Sequence, residues 1–251
     1  MSERRTDCVT SFDGAELAVH RMGRGRPVLL LHGLFSSAEM NWIRFGHAEK
    51  LVELGLEAVM PDLRAHGESS KPHDPQAYPR DVLVSDVKAV VSALDLEDVD
   101  LVGFSLGSRT AVRSVISGVA PRRLALAGMG LEGLAGWDRR AAFFIDAIDR
   151  EAEVKQGDPA FLAVSFMKTM KIDRTAARLL LGSIDDTTPG DLAAMTMPTL
   201  VVCGDRDRDN GSPQALVDAL PDARLVEVPG THMSSVTEPA LGEAIANFLT
   251  G

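Results

Sequence analysis

The sequence predicts an α/β fold with a mostly parallel central sheet, helices on both of its faces and a helical insertion late in the chain. Three observations predict it. Short apolar runs such as Val28-Leu29-Leu30-Leu31 and Thr199-Leu200-Val201-Val202-Cys203 are continuous, as strands covered on both faces require. These runs alternate with segments of helical spacing, the signature of parallel strands joined by crossover helices. Between 130 and 197 the alternation stops and no clear strand is visible.

Taken in order, residues 9 to 22 alternate apolar and polar on either side of Asp13-Gly14, which reads as an antiparallel opening hairpin. Val28 to Leu31 is a buried strand that ends in His32-Gly33. Ala48 to Leu56 has helical spacing, Glu57 to Met60 is a second buried strand, and the Gly- and Pro-rich stretch Leu63 to Pro79 is a loop. A helix follows over Asp81 to Leu94, with Val84, Val87, Val90 and Val91 on one side. The strand around Val99 to Val102 leads into Gly103-Phe104-Ser105-Leu106-Gly107 and a helix from Leu106 to Ser117, and Leu124 to Met129 is again a strand. In the insertion, helices are expected over Asp138 to Val154, from Asp158-Pro159 onward, and over Asp173 to Gly182. Strand and helix then resume with the run at 199–203, a helix near Pro213 to Leu220, a strand Ala223 to Val228 and a last helix Pro239 to Leu249. The expected division is a core of 1–130 and 198–251, with 131–197 a helical cap laid over one sheet edge.

Composition narrows the function classes. A chain of 251 residues suits one large α/β domain with ample core. The net charge of −10 lacks the clustered cations that phosphate backbones need, so no nucleic-acid partner is expected. No stretch approaches the ~20 apolar residues of a membrane span. Cys8 and Cys203 make no disulfide framework, and the N-terminal residues lack the apolar core of a secretory signal, so a cytoplasmic location is expected. Cys203, inside an apolar strand, reads as a small buried hydrophobe. The histidines lack metal-ligand spacing and there is no phosphate or dinucleotide loop, so neither a metal nor another cofactor is expected. Oligomeric state is not readable from the sequence.

The chemistry-bearing stretch is Gly103-Phe104-Ser105-Leu106-Gly107, a serine between two glycines at a strand-to-helix turn. Glycines let neighbouring backbone approach closely, so the turn can be tight enough to push the Ser105 hydroxyl out of the sheet edge. The N–H of Leu106 then stands at the positive end of a helix, where a developing oxyanion is stabilised. Single motifs of this kind arise by chance; here three further ones accompany it in chain order. His32-Gly33-Leu34 closes an early strand, Gly204-Asp205-Arg206-Asp207 follows a late one, and Pro229-Gly230-Thr231-His232 follows the last.

From about residue 9 to the C-terminus this order and spacing resemble the α/β-hydrolase superfamily. The resemblance implies Ser105 as nucleophile, His232 as general base and a carboxylate that orients the imidazole. The family's glycine-to-acid spacing selects Asp207, with Asp205 the runner-up and Asp209 more distant; the polar stretch Asp209-Asn210-Gly211-Ser212-Pro213 departs from the family pattern and leaves that choice open. The resemblance also implies the N–H groups of Leu34 and Leu106 as the oxyanion hole. Residues 60–69 resemble the family's Asp-x-Arg-Gly-x-Gly-x-Ser loop and read as scaffold, with Asp62 and Arg64 pinning it. His20, His47, His66 and His73 lie outside the motif order and are expected to be structural or exposed. Of the insertion's Phe143, Phe144, Phe161, Phe166, Met167 and Met170, most are expected to pack onto the sheet and a minority to line a cleft above Ser105, with Phe144 and Met170 the residues proposed for it; Phe35, Met233 and Trp42, which flank the oxyanion and base loops, are further candidates. Such a cleft favours an apolar ester, lactone or thioester substrate over a highly charged one. Serine at the nucleophile position disfavours the haloalkane and epoxide chemistry of relatives that use aspartate. Within serine members, carbon-carbon bond hydrolysis and perhydrolysis stay open, as does a slow-turnover ligand-binding receptor of the same fold.

Overall fold

The computed structural model describes residues 3–251. Eight strands form one sheet: β1 (Arg5–Thr10), β2 (Glu16–Gly23), β3 (Arg26–Leu31), β4 (Leu56–Pro61), β5 (Asp100–Phe104), β6 (Leu124–Ala127), β7 (Thr199–Gly204) and β8 (Ala223–Val228). Their spatial order is β1-β2-β4-β3-β5-β6-β7-β8. β1 and β2 form the expected antiparallel hairpin, β2 runs antiparallel to β4, and every later neighbour is parallel.

Period-two alternation divides each central strand between two cores. Leu29, Leu31, Leu101, Leu126 and Val201 face one side, while Val28, Leu30, Val102, Ala125 and Val202 face the other. Helices α1 (His47–Glu53) and, at the C-terminus, α9 (Pro239–Thr250) cover the second face through Leu51, Leu241 and Ile245. The first face is covered by α2 (Val82–Ala93), α3 (Leu106–Ile116) and α8 (Pro213–Ala219), and by the helices between β6 and β7. Each strand leucine withdrawn from water contributes about 1.5–3 kcal/mol before chain entropy is set against it.

The segment between β6 and β7 contains α4 (Leu131–Leu134), α5 (Trp137–Asp149), α6 (Phe161–Thr169) and α7 (Arg174–Leu181), and no strand. Its Trp137, Val164, Met167 and Leu180 belong to the same continuous core as Leu31 and Leu126 of the sheet. Two expected boundaries shift. The helix expected from Asp158-Pro159 begins at Phe161, because Asp158 is used in a turn that precedes it: its Oδ1 accepts from Ala160 N at 2.8 Å and its backbone carbonyl from Phe161 N at 2.9 Å. α5 ends at Asp149 rather than Val154, its last residues giving way to turns in which Glu153 N donates to Arg150 O. The helix expected over Asp173 to Gly182 is α7, with Asp173 as its N-cap, accepting from Ala176 N at 3.0 Å, and Gly182 as its C-cap. Among the described residues, no helix is long and apolar enough to cross a membrane.

The parallel register pairs Leu31 with Gly103, Phe104 with Ala127 and Gly204 with Val228. The loops that leave β3, β5, β7 and β8 therefore open at the same carboxyl edge of the sheet, where ligands of open α/β sheets bind.

Candidate active site

At the end of β5 the backbone of Ser105 takes φ 53° and ψ −110°, a conformation a non-glycine residue adopts only when its surroundings impose it. Its two flanking glycines explain how the turn closes. A Cβ on Gly103 would collide with the backbone of Gly107 and Ser108, and one on Gly107 with the carbonyl of Leu31. Ser108 Oγ ties the turn by donating to Gly103 O at 2.8 Å and Ala127 O at 2.9 Å. The strained residue is thus held by hydrogen bonds to β5 and β6, and its side chain stands at the sheet edge.

The loop after β8 brings His232 to it. Nε2 lies 3.0 Å from Ser105 Oγ, and Nδ1 lies 2.8 Å from Asp207 Oδ2. A carboxylate at Nδ1 requires the ring proton there, which leaves Nε2 to accept from the serine hydroxyl. The ring also rests on Phe104, with centroids 5.1 Å apart.

The three aspartates after β7 separate by what each side chain touches. Asp205 accepts from Gly230 N at 2.9 Å and so fastens the β7 turn to the loop that carries the histidine. Asp209 turns its own N–H onto Asp207 Oδ1 at 3.0 Å. Only Asp207 reaches the imidazole. Burial acts to raise its pKa, but the His232 hydrogen bond and charge, the Asp209 N–H and nearby Arg140 outweigh this and leave it below the ordinary carboxylate value.

Given this line of serine, histidine and aspartate, similarity to known proteins decides the family: residues 28–242 match the alpha/beta hydrolase family. The chain belongs to that family. The non-heme haloperoxidase of Rhodococcus erythropolis is 26% identical, over 96% of this chain and 98% of its own. The AB hydrolase superfamily protein YisY of Bacillus subtilis is 36% identical, but over 39% of this chain; the match spans about a third (34%) of that relative's length. Among solved structures, an esterase from Exiguobacterium antarcticum superposes with a TM-score of 0.79 at 19% identity, over 98% of this chain and 100% of the other. The enol-lactonase of Burkholderia xenovorans superposes with a TM-score of 0.77 at 21% identity, over 98% and 100%. At such identities the superpositions speak for the fold alone.

In this alpha/beta hydrolase the loop after β3 is held from both ends. Gly33 N donates to Asn41 Oδ1 at 3.0 Å and Phe35 N to His66 Nε2 at 2.9 Å. Between them the N–H of Leu34 has no internal acceptor among the described residues, nor has that of Leu106 at the first turn of α3. Both residues line the same cavity as Ser105. His32 returns the clasp: its Nε2 accepts from Leu63 N at 2.9 Å, its Nδ1–H donates to Gly33 O, and His66 Nδ1–H donates to Arg64 O. Asp62 and Arg64 anchor this second loop as the sequence suggested, Asp62 through the N–H groups of Ala38 and Glu68, and Arg64 through Asp13 and Asp86. Sequence reasoning placed His66 outside the site and passed over Asn41; nothing in a single sequence marks a side chain whose only task is to bind a backbone N–H.

Burial, reinforced by the neighbouring His32, pushes the His66 pKa down to about 3, so it stays neutral and keeps Nε2 as an acceptor. The unfolded chain takes up a proton at the ordinary histidine value of about 6.5. Stability contributed by neutral His66 is therefore present above that value and is lost as pH falls toward about 3. We expect the melting temperature of H66Q to fall less between pH 7 and pH 4.5 than that of the wild type; equal falls would remove His66 from the acid response.

A cavity of about 1000 Å³ opens above Ser105 and His232. Of the residues the sequence proposes for the cleft, Phe35, Phe144 and Met233 line it, and Phe143 and Phe166 line it too. Phe35 and Phe144 meet edge to face, with ring centroids 5.3 Å apart. Met170 does not line the cavity. On α6 the cavity side is Leu162, Ala163 and Phe166, while Val164 and Met167 face the core; Met170, just past the end of the helix, packs against that core. Trp42 is likewise not a cavity residue: it is fully buried, with its ring against that of His47. We expect F144A to move the preferred acyl-chain length of an ester series, and M170A to leave that preference in place while lowering stability by about 1–2 kcal/mol. Equal chain-length profiles for F144A and the wild type would take Phe144 out of the binding surface.

Proposed function

We propose that the protein is a serine hydrolase that cleaves an apolar carboxylic ester, or a related lactone or thioester, through an acyl-enzyme on Ser105. The observation that carries this reading is the unbroken hydrogen-bonded line from Ser105 Oγ through His232 to Asp207, with spacings of 3.0 and 2.8 Å. A serine hydroxyl is hardly ionised at neutral pH and needs a base within hydrogen-bond reach. His232 Nε2 takes the hydroxyl proton as Oγ attacks the carbonyl carbon, then returns it to the departing alkoxide or thiolate. Asp207 holds the productive tautomer and stabilises the imidazolium formed in between. The N–H groups of Leu34 and Leu106 receive the tetrahedral oxyanion, each such donor being worth roughly 3 kcal/mol in the barrier. Water, deprotonated by His232, then attacks the acyl carbon and frees Ser105. In this reading residues 131–197 act as the cap that closes the apolar cleft over the nucleophile.

A second reading is favoured by the name of a relative that aligns over 96% of the chain, a non-heme haloperoxidase. The same acyl-enzyme, attacked by hydrogen peroxide instead of water, releases a peracid and regenerates the serine. Multiple-turnover hydrolysis of 4-nitrophenyl esters from acetate to decanoate tests the first reading. Sustained turnover beyond one product per protein supports it. A single stoichiometric burst would replace it with a slow, ligand-holding protein, and peracid formation from acetate and peroxide that exceeds ester hydrolysis would replace it with the perhydrolase.

A further inference from the structure

The chain carries a net charge of −10, yet the wall of its cavity has the opposite balance. Four arginines line it, Arg109, Arg139, Arg140 and Arg208, against two carboxylates, Glu132 and Asp209. Their pairing is uneven. Arg109 is buried in the wall and its guanidinium is committed to Asp186 and to the carbonyls of Leu134 and Asp185. Glu132 is engaged with Ser212 N at 2.7 Å.

Arg140 differs. It is half-buried, projects from α5 on the same side as Phe144, and has no ion pair among the described residues. Its hydrogen bond goes to a backbone carbonyl, that of Asp209, at 2.9 Å, and its Cζ stands 5.7 Å from the centre of the Phe144 ring. Arg64 and Arg109, buried outright, and half-buried Arg113 each hold a carboxylate; Arg123, half-buried and also without an ion pair among the described residues, gives its guanidinium to Leu249 O away from the cavity. Burial lowers the Arg140 pKa in spite of the charges of Asp209 and Asp207, the mark of a cation whose lost hydration has not been fully replaced. Arg139 and Arg208, at the exposed mouth, also lack ion pairs among the described residues; Arg208 donates to the carbonyls of Asp207 and Asp205. A partly desolvated guanidinium with free N–H groups, facing a cavity, is complementary to a planar anion that can accept two of them.

We infer that Arg140, aided at the mouth by Arg139, forms a subsite for a substrate carboxylate set apart from the scissile carbonyl. The substrate is then an ester-like molecule with an apolar middle, seated against Phe35 and Phe144, and one acidic end. The inference rests on the serine-hydrolase reading for what lies at Ser105, and it stands or falls separately at Arg140.

Isothermal calorimetry at low ionic strength tests it with three probes that need no catalysis: glutarate, 1,5-pentanediol of the same carbon length, and inorganic phosphate. Glutarate is expected to bind wild type at least tenfold more tightly than pentanediol and than phosphate. The margin shrinks in 1 M NaCl. It falls at least tenfold in R140Q and partially in R140K, which keeps the charge but loses the fork and guards against a folding defect in the glutamine variant. Glutarate that binds no better than pentanediol, or a margin intact in R140Q, overturns the subsite, and tighter phosphate overturns the carboxylate assignment. In parallel, mono-4-nitrophenyl glutarate is compared with 4-nitrophenyl pentanoate. Arg140-dependent glutarate binding without turnover of either ester would remove the hydrolase reading and leave the subsite; turnover without such binding would do the reverse.

Discussion

Replacing Ser105 with alanine is expected to lower kcat/KM for 4-nitrophenyl butyrate by at least about three orders of magnitude, and by up to about 10⁶ if the serine, histidine and aspartate act as one unit. The size follows from what is left. A methyl group at this position offers no nucleophile, and the other soft nucleophile nearby cannot replace the hydroxyl: the Cys203 thiol is buried, donates to Met129 O, and has its pKa pushed up to about 12 by burial. What remains in the proposed mechanism is the oxyanion hole and substrate binding, which in acyl-transfer enzymes with such a triad retain about 10³–10⁴ over water. The fold has no reason to fail. Alanine has the same backbone restriction as serine at φ 53°, and the one side-chain hydrogen bond lost is that to His232. Matched melting temperatures therefore accompany the loss. An S105A protein that keeps activity within tenfold of wild type would place the chemistry elsewhere.

What the sequence made legible, and what it did not, divides along physical lines. The parallel strands could be read because coverage on both faces demands unbroken apolar runs, and Val28 to Leu31 or Leu200 to Cys203 have no other use. The elbow could be read because two close backbone approaches exclude any Cβ at Gly103 and Gly107. The choice of acid was less accessible, since Asp205, Asp207 and Asp209 share one turn and differ only in what their side chains meet: Gly230 N for the first, the imidazole for the second. The inner face of α6 was inaccessible for a different reason. Phe161, Leu162, Ala163, Val164, Phe166 and Met167 leave only the narrow stripe of Ser165, Lys168 and Thr169 polar, because one side packs on the core and another faces an apolar cavity. So wide an apolar arc does not divide by periodicity into a core side and a cavity side, and the reading of Met170 as a cavity residue does not hold, since it packs against the core. Short elements escaped as well: α4 and the single π-helical turn at Glu39–Ile43 are too brief to show a period.

The reading of Asp207 makes a second large prediction, in which D207N slows ester turnover by about 10⁴ while D205N stays within several-fold of wild type. An amide at position 207 still fills the space and can hydrogen-bond Nδ1, but it no longer requires an N–H there. The ring can then present Nε2–H to Ser105, the tautomer that cannot take the hydroxyl proton, and the imidazolium loses its counter-charge. At 205 the amide oxygen of asparagine can still accept from Gly230 N, and the side chain is exposed, so the loss is confined to part of one hydrogen bond, about 0.5–1.5 kcal/mol of stability. A merely structural role for Asp207 is separated from this by covalent labelling. The rate at which a fluorophosphonate modifies Ser105 depends on the same proton transfer, so in D207N it should fall by a factor comparable to that for turnover with little change in melting temperature. If D205N were the slower variant, the acid would move to the residue that now fastens the histidine loop, and His232 would have to turn its Nδ1 away from Asp207 to reach it.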